Sequence, residues 1–237
     1  MELDRDSTSP LYLQLYTVLK NDLENGVYKK GERIPTEADL SQKYGVSRIT
    51  LRNALDKLVR DNYLVRYRGR GTFVKSEKYT RSIAENLGFT EMCHRLGCTA
   101  GAKTIKSVIE NATKEDIEEL QLAEGANVFV LERIRYMNNV PVALECGRYT
   151  DQYSFLMEDD LNTHSLYQLL AEKYQMSFGD CTRRIEITYA TYRLSKYLNV
   201  PIDYPLLYMY GLVYDNDGRP AYRNQQYIVG DKFTLTL

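Results

Sequence analysis

The sequence predicts an α+β protein with two domains, and three observations lead to this prediction. The N-terminal part shows helical periodicity followed by two short β-prone runs. A polar segment at residues 76–84 interrupts the apolar pattern and indicates a linker. After it, strand-like runs joined by short turns alternate with helical segments, which is typical of an antiparallel sheet with helices packed on it. A chain of 237 residues accommodates two modest domains, here 1–75 and 85–237.

Charge is distributed unevenly along the chain. The net charge of −1 by itself disfavours nucleic-acid binding. Residues 1–75, however, contain 14 basic and 10 acidic residues, whereas residues 76–237 contain 17 and 22. Residues 43–75 hold nine basic residues and only Asp56 and Asp61 as acids. Phosphate contact requires a compact basic face of this kind, and an ordinary solvated basic surface is the alternative.

The first domain begins with two predicted helices. Ser9 and Pro10 provide an N-cap and a first-turn proline for a helix over about residues 10–25. The apolar face of this helix consists of Leu11, Leu15, Val18, Leu19 and Leu23. A short second helix follows, starting where Thr36 and Asp39 resemble a capping box.

A third predicted helix, capped by Ser47, carries a basic face opposite its apolar face. The apolar face consists of Leu51, Leu55 and Leu58. Arg48 and Arg52 are four residues apart and project together away from that face, with Thr50 at the same N-terminal end. Because arginine can bridge O6 and N7 of guanine, and hydroxyls reach phosphates or bases, this helix is predicted to read DNA.

Two β-prone runs after the third helix, residues 63–67 and 72–74, predict a hairpin. Its tip consists of Arg68, Gly69, Arg70 and Gly71. Because glycine keeps the backbone thin, such a basic tip can enter or straddle a minor groove. The hairpin and the three helices together predict a winged helix-turn-helix. Non-specific contact with DNA or protein is the alternative reading of this surface.

The second domain is predicted to alternate strands and helices. The predicted strands cover residues 103–108, 128–136, 141–149, 183–190, 206–214 and 222–229. The predicted helices cover residues 83–96, 113–125, 165–174 and 192–198. Short turns such as Asn138-Asn139 join neighbouring strands and indicate antiparallel pairing.

Several functional classes are disfavoured by what the sequence lacks. No apolar run approaches the roughly 18 residues that span a bilayer, and residues 1–10 do not resemble a signal peptide, so we expect a cytoplasmic protein without membrane contact. The segment Cys93-His94-Cys98 offers only half of a metal site. We see no nucleophile with its base and no glycine-rich phosphate loop, so we expect no enzymatic activity, cofactor or metal.

The motifs of the first domain carry a resemblance to a known family. Residues 10–74 resemble the DNA-binding domain of the GntR family, most specifically in GERIPTEADLSQKYGVSRITLRNAL and GRGTF. The resemblance implies that operator DNA contacts Ser47, Arg48, Thr50, Arg52, Arg68, Gly69 and Arg70. Ala38 stands where the family often carries arginine, so a relative's operator sequence is not carried over.

The second domain resembles the UTRA effector domain of the HutC subfamily in FVLERIRYMNNVPVALECGRY, LNTHSLYQLLAEKY and GRPAYRNQQYIVGDKFTLTL. This resemblance implies a chorismate-lyase-like fold that binds a small, often phosphorylated or carboxylated metabolite. It implies a pocket lined by Phe89, Thr90, Arg133, Arg135, Glu145, Ser165, Tyr167 and Tyr227. Tyr222 stands where the subfamily often has an acidic residue, which favours a more apolar or aromatic effector.

The residue pattern adds its own support for an anion site. Arg133 and Arg135 alternate on one predicted strand, so both project from the same side of the sheet. Paired guanidinium groups suit a phosphate or carboxylate. The alternative is a solvated strand face with Glu145 as a cross-strand partner. Ser165 likewise suits either a helix cap or an anion site.

The sequence therefore predicts a homodimeric, sequence-specific transcription regulator that binds palindromic double-stranded operator DNA. We expect a repressor that a small anionic metabolite, such as a sugar phosphate, releases or modulates. One alternative is a lyase-like catalytic domain tethered to DNA. Another is a regulator that responds to a non-phosphorylated, amino-acid-type ligand.

Overall fold

The computed structural model describes residues 3–5, 7–67, 69–75, 78–83 and 87–236. The chain divides into two units, Met1–Glu77 and Lys78–Leu237. The predicted α+β class is confirmed, with helices and a hairpin in the first unit and an antiparallel sheet in the second.

The first unit has the predicted order of elements. Its helices are α1 (Leu11–Glu24), α2 (Glu37–Tyr44) and α3 (Arg48–Arg60), and its hairpin strands are β1 (Leu64–Tyr67) and β2 (Gly71–Val74). Thr36 and Asp39 form the predicted capping box of α2, and the Ser47 hydroxyl accepts the Thr50 N–H at the start of α3. The apolar faces of the helices meet in one cluster that includes Leu15, Leu19, Leu40, Leu51, Leu55 and Leu58. This cluster fixes which side of α3 faces outward.

The second unit is organised around an antiparallel sheet of six strands with the order β4-β5-β6-β9-β8-β7. Its strands are β4 (Ala100–Asn111), β5 (Asn127–Met137), β6 (Val140–Thr150), β7 (Phe178–Tyr189), β8 (Pro205–Asp215) and β9 (Pro220–Ile228). Its helices are α4 (Phe89–Arg95), α5 (Lys114–Glu119), α6 (Leu166–Tyr174) and α7 (Tyr192–Leu198), with 3₁₀ turns at Asp151–Glu158 and Gly230–Lys232.

One segment of the predicted linker is a strand. Residues Tyr79–Ser82 form β3, which pairs in parallel with β10 (Phe233–Thr236) near the other end of the chain. The pairing joins residues about 150 positions apart, so the local polar composition of residues 76–84 gave no sign of it. The helix predicted over residues 83–96 is described only as α4 (Phe89–Arg95), and residues 84–86 lie outside the described part of the chain.

The register of the six strands separates the side chains of the sheet onto two faces. One row across the sheet contains Arg133, Glu145, Gln226, Met209 and Ile185, which lie on one face. The neighbouring row contains Leu144, Tyr227 and Tyr208 and lies on the other face, because successive strand residues alternate between faces. We call the first the pocket face and the second the opposite face.

Candidate functional site

The outward side of α3 presents the predicted DNA-reading residues together. Arg48 and Arg52 are exposed, while Leu51 and Leu55 of the same helix are buried. Ser47 and Thr50 lie at the helix start, where their hydroxyl oxygens are 2.9 Å apart. The α3 N-terminus thus combines cations, hydroxyls and the positive end of a helix dipole, an arrangement suited to phosphates and base edges.

Glu37 holds two arginines on this surface. Its Oε2 accepts a hydrogen bond from Arg52 Nη2 at 3.0 Å, and its Oε1 lies 3.7 Å from Arg66 Nη2. Arg66 also pairs with Asp56. The hydrogen bond with Glu37 is the main reason that the pKa of Arg52 is raised above its ordinary value. The guanidinium of Arg52 is therefore oriented before any ligand arrives, at an exposed site where releasing the ion pair costs little.

The hairpin tip is shaped by glycine and held by aromatic rings. Gly69 has φ +73° and Gly71 has φ +109°, backbone conformations that favour glycine. The Arg70 guanidinium lies over the rings of Tyr67, at 5.1 Å, and Phe73, at 5.5 Å. Arg68, the other predicted arginine of the tip, lies outside the described residues.

The pocket face of the second unit lines a cavity that opens to solvent. Seven of the eight residues predicted for the effector site line it: Phe89, Thr90, Arg133, Arg135, Glu145, Ser165 and Tyr167. They come from α4, β5, β6 and the start of α6, so elements far apart in the chain meet there.

Tyr227, the eighth predicted residue, does not line this cavity. It lies on the opposite face of β9, where its ring centroid is 5.2 Å from that of Tyr208 and where it packs beside the cluster that contains Leu144. Its neighbours Gln226 and Ile228 line the cavity instead. The predicted residue is one position away from the residues of β9 that face the cavity, and a shift of one residue moves a strand side chain to the other face of the sheet.

Two buried arginines and one carboxylate form the centre of the pocket. Arg133 and Arg135 are 3% and 5% exposed. Arg133 Nη2 donates to Glu145 Oε2 at 3.0 Å, and Arg135 Nη1 lies 4.0 Å from the same oxygen. The Arg135 guanidinium also lies 4.4 Å from the centre of the Phe89 ring. Glu145 is thus the expected cross-strand partner, but the arginines are buried and face a cavity, so the solvated strand face that was the alternative is not present.

Several guanidinium nitrogens remain without a partner in this pocket. Among the described residues, no hydrogen-bond partner exists for the buried Nε and Nη1 atoms of Arg133 and Arg135. Buried N–H groups are almost always hydrogen-bonded in folded proteins, and leaving them bare costs free energy. These four donors therefore suit an anion with several acceptor oxygens.

The electrostatics of the pocket favour bound anions. Burial alone would raise the pKa of Glu145, but the positive charges of Arg133, Arg135 and Arg81 outweigh burial and lower that pKa below its ordinary value. Burial, together with the like charge of Arg133, lowers the pKa of Arg135 to about 10. Glu145 and Arg135 are therefore ionised at neutral pH, and an anion would meet a positively charged pocket.

An aromatic wall stands beside the charged centre. Tyr149 and Tyr222 stack with ring centroids 4.4 Å apart, and the hydroxyl oxygens of Tyr222 and Tyr167 are 3.0 Å apart. Burial is the main cause of the raised pKa values of these three phenols, which are neutral at physiological pH. Tyr222, noted in the sequence as a departure from the subfamily, is therefore part of the cavity lining.

Two further arginines line the cavity, Arg81 and Arg183, and neither was predicted to do so. Arg81 was placed in the linker, and Arg183 was assigned to a strand without a role. The alternation of Arg183 with Cys181 along β7 was the available signal, since both line the cavity. No local signal marked Arg81, because its position depends on the distant pairing of β3 with β10.

Two further features are absent from the described residues. No described group of three or more His, Cys, Asp and Glu side chains is arranged to hold a metal ion. No described helix combines the length and the apolar character needed to cross a membrane.

Comparison with known protein families gives two matches. Residues 11–74 match the model of bacterial regulatory proteins of the gntR family. Residues 95–234 match the model of the UTRA domain. These ranges correspond to the segments whose motifs resembled those two families.

Individual relatives cover nearly the whole chain. A protein of Escherichia coli K12 named as the probable fructoselysine utilization operon transcriptional repressor is 31% identical over 99% of this chain and 96% of its own length. The transcriptional repressor NagR of Bacillus subtilis 168 is 25% identical over 99% of this chain and 97% of its own. The crystal structure of PhnF from Mycobacterium smegmatis superposes with a TM-score of 0.66, at 25% identity, over 94% of this chain and 98% of that chain.

Proposed function

The chain belongs to the GntR family of bacterial regulatory proteins and carries a UTRA domain, and on this premise we propose that a small anionic metabolite releases it from its operator. The similar proteins are DNA-binding transcriptional repressors, not enzymes. The proposed operator is a palindrome read by two copies of α3, whose separation on DNA must match about one helical turn. The metabolite binds in the cavity on the pocket face.

One observation carries the effector proposal: four buried guanidinium nitrogens of Arg133 and Arg135 lack a hydrogen-bond partner among the described residues. A phosphate group supplies three acceptor oxygens and nearly two negative charges. Ser165, buried at the start of α6, caps that helix by accepting the Gln168 N–H, and its hydroxyl hydrogen can still be donated to an anion. A phosphorylated sugar-derived metabolite fits this chemistry, and relatives named for fructoselysine and mannosyl-D-glycerate are consistent with it.

Replacing Arg133 with glutamine is expected to weaken binding of a phosphorylated effector by about tenfold or more. A hydrogen bond to a charged group contributes about 1.5–3 kcal/mol, and Arg133 offers two unsatisfied donors. Isothermal titration of the full chain with sugar phosphates measures the loss. Arg219→Gln is the matched control, because the Arg219 side chain is 77% exposed and pairs only at the surface with Asp217.

The same ligand must also act on DNA. In a fluorescence anisotropy experiment, a sugar phosphate that binds the wild type is expected to lower its affinity for the operator, and Arg133→Gln is expected to blunt this response. Equal binding of sugar phosphates by wild type and Arg133→Gln would contradict the pocket assignment. Tighter operator binding with effector would contradict release from DNA.

We propose that the homodimer forms at the β7 edge of the sheet. Ile187 and Tyr189 of β7 are 71% and 61% exposed, and Tyr192, at the start of α7, is 67% exposed. An edge strand presents unpaired backbone groups, so a second copy of the chain can cover both these groups and the apolar side chains.

Ile187→Lys is therefore expected to shift the protein from dimer to monomer in sedimentation velocity. It is also expected to weaken operator binding, because one DNA-binding unit alone binds weakly. Ile109→Lys is the matched control, since Ile109 is exposed on β4 at the other edge of the same sheet. Dissociation by Ile109→Lys with an intact Ile187→Lys dimer would place the interface elsewhere.

A further inference from the structure

The outward side of α3 carries an exposed isoleucine and an exposed asparagine in addition to its arginines. Ile49 is 75% exposed, the highest value among the exposed large apolar side chains that the structure describes. Asn53, one helical turn later, is exposed as well. Residues four apart on a helix are neighbours on its surface, so Ile49 and Asn53 form a pair. Because Ile49 is not packed into the core, extensive apolar contact at this side chain requires a bound partner.

The pair lies at the centre of the surface that α3 turns away from the core. Leu51, midway between the two residues in sequence, is 0% exposed. Ile49 and Asn53 are each two residues from Leu51, and two residues of an α-helix rotate by about 200°. The two side chains therefore lie on either side of the direction opposite to Leu51.

Cations and hydroxyls lie on the two flanks of this centre. By the same rotation, Arg48 and Arg52 lie on one flank, about 60–100° from Leu51. Thr50 lies on the other flank, where its hydroxyl oxygen is 2.9 Å from that of Ser47. Cations on one side and hydroxyls on the other suit the groups that border a DNA groove, and the centre of α3 then faces the base edges between them.

The chemistry of Ile49 suits one feature of a base edge. An aliphatic side chain forms no hydrogen bond with a phosphate or with the polar atoms of a base. The apolar group that the four bases present in the major groove is the C5 methyl of thymine. Contact between this methyl group and Ile49 removes apolar surface of both partners from water, which favours binding. Ile49 is therefore suited to recognise thymine.

The chemistry of Asn53 suits the base that pairs with thymine. Its Oδ1 can accept from the N6 amine of adenine while its Nδ2 donates to N7, the bidentate pairing by which asparagine reads adenine in the major groove. Adenine and thymine face each other in one base pair. Two helix neighbours that suit these two bases therefore suit one A·T pair or two adjacent A·T pairs.

We propose that Ile49 and Asn53 read A·T base pairs in each half-site of the operator, Ile49 through the C5 methyl of thymine and Asn53 through N6 and N7 of adenine. This inference rests on the proposed function, because it names bases within the operator that α3 reads. Arg48 and Arg52 suit guanine, so the two pairs of side chains have different bases as targets. Each half-site then contains A·T pairs beside the G·C pairs that the arginines contact.

Small changes in the DNA bases test each contact. The operator is selected from random DNA with the wild-type full chain, and affinities are measured by fluorescence anisotropy. Each thymine is replaced in turn with uracil, which lacks the C5 methyl, and each adenine with 7-deazaadenine, which lacks the N7 acceptor, at symmetric positions of both half-sites. At one position we expect uracil to weaken binding about fifteenfold, the effect of one buried methyl group in each half-site. At one position we expect 7-deazaadenine to weaken binding about thirtyfold, the effect of one hydrogen bond in each half-site.

Substitutions in the protein assign each effect to one side chain. Ile49→Ala is expected to reduce the uracil effect to less than about twofold and to retain the 7-deazaadenine effect, and Asn53→Ala is expected to do the reverse. Both side chains are exposed and alanine favours helices, so both variants should fold. Val27→Ala is the matched control for loss of an exposed apolar side chain, since Val27 is 58% exposed and follows α1, and it should retain both effects.

The outcomes separate this inference from the proposed function. A uracil effect that persists in Ile49→Ala, or a 7-deazaadenine effect that persists in Asn53→Ala, would overturn the role of that residue. Unchanged affinity for every modified operator, with operator binding still lost in Arg48→Ala, would overturn both roles and leave the proposed function intact. Failure of the wild-type chain to select any operator would overturn the proposed function and this inference together.

Discussion

Arg48→Ala and Arg52→Ala are each expected to reduce operator affinity at least about thirtyfold. A good bidentate contact between arginine and a guanine discriminates by about 1–3 kcal/mol, and a dimer on a palindrome makes each contact twice, or about 2–6 kcal/mol in total. Both side chains lie on the exposed side of α3, whereas the leucines of the same helix form the core. Fold and effector binding should therefore be retained.

The comparison between operator and random DNA decides what these arginines do. We would select the operator from random DNA with the wild-type protein and measure anisotropy at fixed salt, with Arg60→Ala as a control for loss of an exposed arginine near the other end of α3. Loss confined to the operator indicates base recognition. An equal loss of affinity for both DNAs, with a shallower salt dependence, would indicate that Arg48 and Arg52 contact only phosphates.

Glu37 distinguishes the two arginines further. Arg52 is held 3.0 Å from Glu37 in the free protein, so its side chain is already restricted before DNA binds. Pre-organisation of this kind lowers the entropy that binding must remove. The same carboxylate also lies near Arg66, so the negative charge of Glu37 orients a basic surface as well as partly neutralising it.

The first unit was predictable in detail because its signals are local. The Thr36 capping box, the Ser47 cap and the leucine spacing of α3 each act within a few residues, and the structure reproduces each of them. The shared orientation of Arg133 and Arg135 was also predictable, because two residues that are two positions apart on a strand lie on the same face of the sheet.

The rest of the pocket depends on pairings that the sequence does not reveal. The face of the sheet on which Tyr227 lies is set by the register of β9 between β6 and β8. Tyrosines occur on both faces of that strand, since Tyr222 lines the cavity and Tyr227 does not. Arg81 enters the pocket only because β3 pairs with β10 across the length of the unit. Side-chain identity alone therefore indicated Arg133 and Arg135, but it indicated neither Arg81 nor the face on which Tyr227 lies.

Asp116→Asn is expected to lower the free energy of unfolding of the second unit by about 3–5 kcal/mol, because it removes the centre of a buried ion network. The Asp116 side chain is 0% exposed. Its carboxylate accepts hydrogen bonds from Arg148 Nε at 2.8 and 2.9 Å and from Arg223 Nε at 2.6 Å, and it caps α5 through Thr113. Asparagine preserves the shape but removes the buried charge that both guanidinium groups share, which leaves them only the more exposed carboxylates of Glu110, Glu115 and Glu119.

The pH dependence of stability provides a second signature of this network. Burial acts to raise the pKa of Asp116, but hydrogen bonds from Arg148 and Thr113 outweigh it and lower the pKa from 3.8 to about 2. A lowered folded-state pKa means that the ionised carboxylate stabilises the fold above about pH 4 and that this contribution, about 2 kcal/mol, is lost as pH falls toward 2. The stability difference between wild type and Asp116→Asn should therefore shrink over that interval.

Chemical denaturation of the full chain between pH 7 and pH 2.5, with hydrogen exchange of the sheet amides to report the second unit, measures both effects. Asp217→Asn is the matched control, because the Asp217 side chain is 73% exposed in a turn and should leave stability near that of the wild type. A difference between wild type and Asp116→Asn that stays constant with pH would show that packing, not charge, holds α5 on the sheet. The ion network joins α5, β6 and β9, whereas Arg133 and Arg135 lie on β5. Loss of the network should therefore lower the stability of the second unit with little effect on the affinity of the pocket for anions.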